Sequence, residues 1–362
     1  MKKVYVAATQ QHDGKTTVSV GLYKAAQERG YNACFIKPVG QRYQVEGGVR
    51  ADEDAVLFKH ALLASGELQD LSPITIPRGY TQQYVFNPEP ERIHGEIHAA
   101  FDHVSAGKDL AIIEGTGHAG VGSVIDASNG TVASMLGADC VLVTQGGIGR
   151  CIDEVCLNQA LFEKNGVRVI GAVVNKVFEE KYDKIAKAVR QGLKNAGVEC
   201  LGVIPYRAEL TYPTITQLRD ELTLEVLCGE QGLGIKVRSI IIGAMEPQNM
   251  IQYLEDGCLV VVPGDRVDNI IISINAHLMS RYASGPRIAG LLLTGGMRPH
   301  ASIMDVLLKV GVPVVLSKED TATAAYRARR LVAKITPKDA AKIDLATELT
   351  KQHVDLERIL AD

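Results

Sequence analysis

No apolar run in this chain approaches the ~18 residues of a membrane helix, and Lys2-Lys3 are followed by too short an apolar stretch, before Thr9 and Gln10, for a secretory leader. Paired cysteine spacing is lacking as well. The seven cysteines, at positions 34, 140, 151, 156, 200, 228 and 258, are odd in number and include no Cys-x-x-Cys pair. That pattern excludes a disulfide framework or a zinc ribbon and leaves most of the thiols as small buried hydrophobes. Nor does charge of one sign dominate: 39 Lys+Arg against 42 Asp+Glu leave a net charge of −3. No basic field therefore draws the chain to nucleic acid or to an anionic membrane. Low-complexity stretches and short-period repeats are absent too. A cytoplasmic protein with locally held ligands is expected.

What is present suits a layered α/β protein. The chain has 362 residues, 46% of them apolar, and 35 glycines, enough for two domains whose tight turns join buried strands to helices. Near-continuous apolar runs at 4–8, 33–36, 110–113, 140–144, 169–174 and 200–204 alternate with helical patterns, as parallel strands covered on both faces require. Residues 1–212 therefore read as a doubly wound parallel sheet. From 213 to 335 a second, smaller α/β unit follows, with about four strands at 240–242, 259–262, 291–293 and 314–316. Residues 336–362 read as a charged helical tail on the surface.

Ligands of such sheets gather at the carboxyl ends of the strands. After the first strand stands Thr9-Gln10-Gln11-His12-Asp13-Gly14-Lys15-Thr16, then Thr17 and a helix. A strand ending in Gly-Lys-Thr aims backbone N–H groups and a helix N-terminus at a polyphosphate. Lys15 would reach the terminal phosphates and the Thr16 hydroxyl would hold Mg²⁺. Lys37, at the next strand end before Pro38, offers a second ammonium to the same crevice, or is a solvated strand-end lysine. Glu114 ends a third buried run, where a carboxylate shares a metal with Thr16. Asp54, with Asp52 as the alternative, would add a further oxygen ligand. The loop from Glu114 to Ser123 has glycine at 115, 117, 120 and 122, which permits close backbone approach to a ligand. His12 and His118 are proton-transfer candidates, although neither has an identifiable carboxylate partner in sequence. Asn175 either reads an adenine edge with its amide or serves a turn.

Five of these motifs, taken in order, resemble the dethiobiotin synthetase-like P-loop proteins, a group that includes the ATPase domains of cobyrinic acid a,c-diamide synthases. They are Thr9 with Gly14-Lys15-Thr16, Lys37-Pro38-Val39, Glu114-Gly115, Asn175-Lys176-Val177 and Gly202-Val203-Ile204-Pro205. The chain is still more similar to the ATP-binding N-terminal region of long phosphotransacetylases, followed by what resembles a DRTGG domain with corners at Pro263-Gly264-Asp265-Arg266 and Thr294-Gly295-Gly296. No counterpart of their acetyl-transferring domain stands in the 362 residues.

The resemblance implies a P-loop NTPase-like fold and bound ATP and Mg²⁺. It implies nucleotide contacts from Thr9, Gln11, His12, Asp13, Gly14, Lys15, Thr16, Thr17, Asn175 and Pro205, and a metal at Thr16, Glu114 and Asp54 or Asp52. Lys15 and Lys37 would then be catalytic, and a small-molecule substrate or effector would lie near Gln41, Gly115, Gly117 and His118. Gln11, His12 and Gln41 depart from dethiobiotin synthetase where its substrate would sit. The expected activity is ATP hydrolysis or activation of a carboxylate or carbamate; the alternative is a non-catalytic ATP sensor. A homodimer is implied by analogy.

Overall fold

A computed structural model describes residues 1–279, 287–331 and 333–361. It divides into a first unit, Met1–Arg207 with Ile335–Asp362, and a second, Ala208–Lys334. In the first unit, β1 (Lys2–Ala8), β2 (Ala33–Ile36), β3 (Leu110–Glu114), β4 (Asp139–Gln145), β5 (Val169–Val177) and β6 (Cys200–Pro205) form a parallel sheet ordered β6-β5-β4-β1-β3-β2. Every residue of β2 and β3 is buried, which requires cover on both faces and explains their unbroken apolar runs. The chain fills one side of β1 with β2 and β3, then crosses to place β4, β5 and β6 on the other. Its reversal point is the mouth where β1, β3 and β4 end.

Four helices frame that mouth. α1 (Lys15–Glu28) leaves β1 through Gly14, whose φ of 99° is left-handed. α2 (Glu53–Ala61) follows an antiparallel hairpin of Tyr43–Glu46 and Val49–Asp52 and is capped by the Asp52 carboxylate, which accepts from Asp54 N at 3.0 Å. α3 (Asn129–Leu136) precedes β4 and α4 (Gly149–Lys164) follows it.

The second unit holds β7 (Glu225–Cys228), β8 (Ser239–Ile242), β9 (Cys258–Pro263), β10 (Gly290–Thr294) and β11 (Val314–Leu316) in the order β7-β11-β10-β9-β8. All pairings are parallel except β7 with β11. Alternate side chains leave on opposite faces. Val260, Val262, Leu291 and Leu293 pack with Ile270 and Ile274 of α6 (Val267–Met279) and Leu307 of α7 (Ala301–Val310). Leu259, Val261 and Leu292 pack instead with Ile215 and Leu218 of α5 (Ile215–Leu222) and Ala324, Ala325 and Ala328 of α8 (Thr321–Arg330).

Two expectations need correction. The second sheet has five strands rather than four, because β7 is an edge strand whose Glu225 faces solvent and breaks the apolar run. The segment 336–362 is not a surface tail. Its helix α9 (Ala340–His353) buries Lys342, Ile343, Ala346, Thr347, Leu349 and Thr350 within the first unit. It lies so close to α1 that a Cβ on Gly21 would stand 2.0 Å from Thr350 Oγ1. Beyond it Val354 bridges Gly202, and Asp355 N donates to Leu201 O at 2.7 Å. The contact face is partly small and hydroxyl-bearing, with Thr347 and Thr350 donating back to Ile343 O and Ala346 O, both at 2.8 Å, so it lacks a strong apolar stripe. All seven cysteines are free thiols, and no helix among the described residues is long and apolar enough to cross a membrane.

Candidate functional site

The mouth of the first sheet gathers two lysines, two carboxylates and a hydroxyl. Strand register starts the arrangement, since Val6 of β1 stands opposite Glu114 of β3. Lys37, one residue past β2, is fixed by its own N–H to Leu71 O at 2.8 Å. Its ammonium donates to Asp54 Oδ2 at 2.7 Å, Glu114 Oε1 at 3.0 Å and Gly115 O at 3.1 Å. Thr16 Oγ1 lies 3.1 Å from both Asp54 Oδ1 and Glu114 Oε1. Asp54 stands in the first turn of α2, whose N-terminus the Asp52 carboxylate caps. Asp54 thus joins the cluster, while Asp52 caps α2 and still adds to the charge that raises Lys37.

Burial sets the electrostatics. Lys37 and Glu114 are 3% and 1% exposed. Burial disfavours the Lys37 charge, yet Asp54 and Glu114 outweigh it and hold its pKa well above the ordinary value. Burial raises Glu114, against the lowering pull of Lys37. Lys15, buried at the start of α1, is lowered to about 8 by desolvation and then by the Lys37 charge. Glu114 Oε2 is buried without a hydrogen-bond partner. A desolvated carboxylate oxygen left unmatched is costly unless another group meets it. With the Thr16 hydroxyl and Asp54 beside it, the donor set is all oxygen, as Mg²⁺ prefers. The residues present fit that ion, although among the described residues no group of three or more His, Cys, Asp and Glu side chains gathers anywhere.

The loop itself is braced from beneath. Asp13 accepts from Thr9 Oγ1 at 2.9 Å and from Gln10 N at 2.7 Å, closing the turn. Asn175 is buried and donates from Nδ2 to Asp13 O at 2.9 Å, and a Cβ on Gly14 would stand 2.1 Å from that nitrogen. Its amide thus supports the loop backbone. Lys176 donates to His12 O. Gln11, His12, Gln41 and His118 are exposed, whereas Gly115, Gly117 and Pro205 are buried, and Thr17 lies half-buried on the first turn of α1. Gly117 O accepts from Ala8 N at 3.3 Å, and its position faces Gln11, whose Cγ would lie 3.8 Å from an added Cβ. Gly115 and Gly117 thus stand at the mouth.

Sequence reasoning missed three supports. Asn129 of α3 accepts from Tyr5 Oη at 2.8 Å and holds Thr116 and His118 through their carbonyls, at 2.9 and 2.6 Å. Asn158 of α4 accepts from Ala119 N at 2.8 Å, and Glu154 lies 3.1 Å from Thr9 Oγ1 and accepts from Gln10 Nε2 at 2.7 Å. Only a polar residue on an otherwise core-facing helix surface could have flagged them.

Residues 2–214 match the family model described as AAA domain, more than half of the chain. The chain belongs to the AAA domain family. Residues 217–331 match the DRTGG domain, as the corner motifs imply. The phosphate acetyltransferase of Nitratidesulfovibrio vulgaris is 26% identical over 361 residues, covering 97% of this chain and 50% of that protein. That of Pseudomonas aeruginosa is 26% identical over 377 residues, covering 99% and 51%. The resemblance to long phosphotransacetylases is borne out, and the chain spans about half the length of these curated relatives. Among solved structures, the MinC–MinD cell division complex of Aquifex aeolicus overlaps the AAA-domain chain at a TM-score of 0.39 and 15% identity, covering 58% of it and 84% of that chain.

Proposed function

We propose that the first unit binds Mg·ATP and uses it for hydrolysis or for phosphorylating a carboxylate or carbamate oxygen. The observation that carries this reading is the Thr16 hydroxyl at 3.1 Å from both Asp54 and Glu114, one residue past Lys15 at the head of α1. The backbone of residues 13–16 would receive the phosphates, with Lys15 supplying charge. Thr16, Asp54 and Glu114 would hold the metal, which when bound offsets charge on the phosphate oxygens. Lys37 would counter the charge that gathers on a terminal phosphate under attack, and Asn175 and Asp13 would keep the loop in shape.

The test is calorimetric titration of Mg·ATP into the parent chain and Lys15→Ala. Loss of at least ~100-fold in affinity is expected, of the size that removing a charge-assisted phosphate contact allows. Unchanged affinity would sink the site.

One observation favours a second reading, an ATP sensor without turnover: all three Lys37 donors point inward, to Asp54, Glu114 and Gly115 O. Phosphate release by the pure protein, with and without bicarbonate and candidate carboxylates, separates the two, since a sensor binds ATP but releases none.

A further inference from the structure

The amino ends of the second sheet present an unassigned cavity of about 610 Å³. Lys236 and Arg238 reach it from before β8, Asp256 from before β9, and Arg287 from before β10. Their placement is built by the backbone. Lys236 bridges Thr214, and Val237 N donates to Pro213 O at 2.7 Å. Arg238 N then donates to Gly257 O at 2.8 Å, and Gly257 N to Arg287 O at 2.8 Å. The Arg238 stem lies across Gly257, where a Cβ would come within 2.8 Å of its Cγ and Cδ, and Gly257 has the left-handed φ of +77°.

The lining carries three cations, Lys236, Arg238 and Arg287, and two carboxylates, Glu209 and Asp256. Elsewhere in the unit Arg219, Arg266, Arg298 and Arg327 each pair with a neighbouring acid. Among the described residues, no carboxylate lies within ion-pair distance of Lys236, Arg238 or Arg287. Asp256 is engaged by the frame, accepting from Arg287 N at 2.8 Å. Three cations against two carboxylates leave the concavity net positive, and two of the cations are guanidinium forks suited to phosphate. The volume falls in the range of small-molecule sites, about 300–1,000 Å³. It exceeds what inorganic phosphate fills, and Ile235 with the buried Ile288 gives it an apolar wall.

We propose that this cavity binds a phosphorylated small molecule, with its phosphoryl groups at Arg238, Arg287 and Lys236 and its organic body against Ile235 and Ile288. The site is independent of the nucleotide loop. Its test uses the full chain carrying Lys15→Ala, titrated calorimetrically with pyrophosphate, fructose 1,6-bisphosphate and adenosine 5′-monophosphate. At least one probe is expected to bind, at least ~10-fold more weakly in Arg238→Ser and in Arg287→Ser, with an intermediate loss in Arg238→Lys, which keeps the charge without the fork. Affinity should also fall as salt rises, and Arg298→Ser, whose guanidinium is paired with Glu225, should leave it unchanged. Both test arginines are exposed, so unfolding curves matching the parent chain are expected. No binding by any probe, or binding that survives Arg238→Ser and Arg287→Ser, overturns the proposal.

Discussion

Lys37 stands between two buried carboxylates, so removing its ammonium strands both of them. Breaking a buried pair on one side costs about 3–5 kcal/mol. Lys37→Met should lower the unfolding free energy by that amount in a denaturant titration, and adding Asp54→Asn and Glu114→Gln should restore most of it. A Lys37→Met chain as stable as the parent would refute the ion-pair account. At Gly14 the constraint is steric: left-handed backbone faces the Asn175 amide at a distance no Cβ tolerates. Gly14→Ala should cost about 1–3 kcal/mol and weaken Mg·ATP binding in the same titration. Lys37 and Glu114 were legible in sequence because each stands at the end of a buried apolar strand, where parallel sheets place their ligands, whereas Asp54 follows a half-exposed hairpin strand and shared its reading with Asp52. Asn129, Asn158 and Glu154 were not, since their partners Tyr5, Ala119 and Thr9 lie 124, 39 and 145 positions away and no local pattern records such contacts. The Asn175 contact with Asp13 O spans 162 positions and was equally hidden from a local pattern.

Among elements, the strands of the first sheet were readable because full burial leaves continuous apolar runs, whereas β7 and α9 were obscured by an exposed glutamate and by a contact face partly of Ala and Thr. The α1–α9 contact is tight enough to test. Gly21→Val would drive a branched side chain into Thr350 and Ala346 O, and overpacking of this kind costs about 1–3 kcal/mol. Its unfolding midpoint should fall by several degrees; an unchanged midpoint would show that the helices part freely. The end of α9 also gives a pH dependence. Burial, with Arg207 adding to it, lowers the His353 pKa, while its ring nitrogen Nδ1 stands 3.3 Å from Tyr182 Oη. The folded chain therefore binds fewer protons at His353 than the unfolded chain as pH falls through the ordinary histidine value of about 6.5. Stability from this group is present above that pH and is lost below it. His353→Gln should flatten the fall in unfolding free energy between about pH 7 and 5, measured by denaturant titration at each pH.

For the whole molecule, two sheets with separate cores predict two calorimetric transitions, of which saturating Mg·ATP should raise only one; a single transition shifted as a block would contradict separate cores. Sequence alone gave the order of the two α/β units but not the return of the closing segment to the first, because a segment's distant packing partner leaves no mark in its own periodicity. That return bears on how the protein is made. The second unit is contiguous in the chain, so all of its strands have left the ribosome before α9 does. During synthesis the helix that carries Lys15 at its head has Gly21 bare and the outer edge of β6 without Val354. The first unit is therefore finished after the second, and a nascent chain acquires its complete phosphate-loop scaffold only once α9 has emerged.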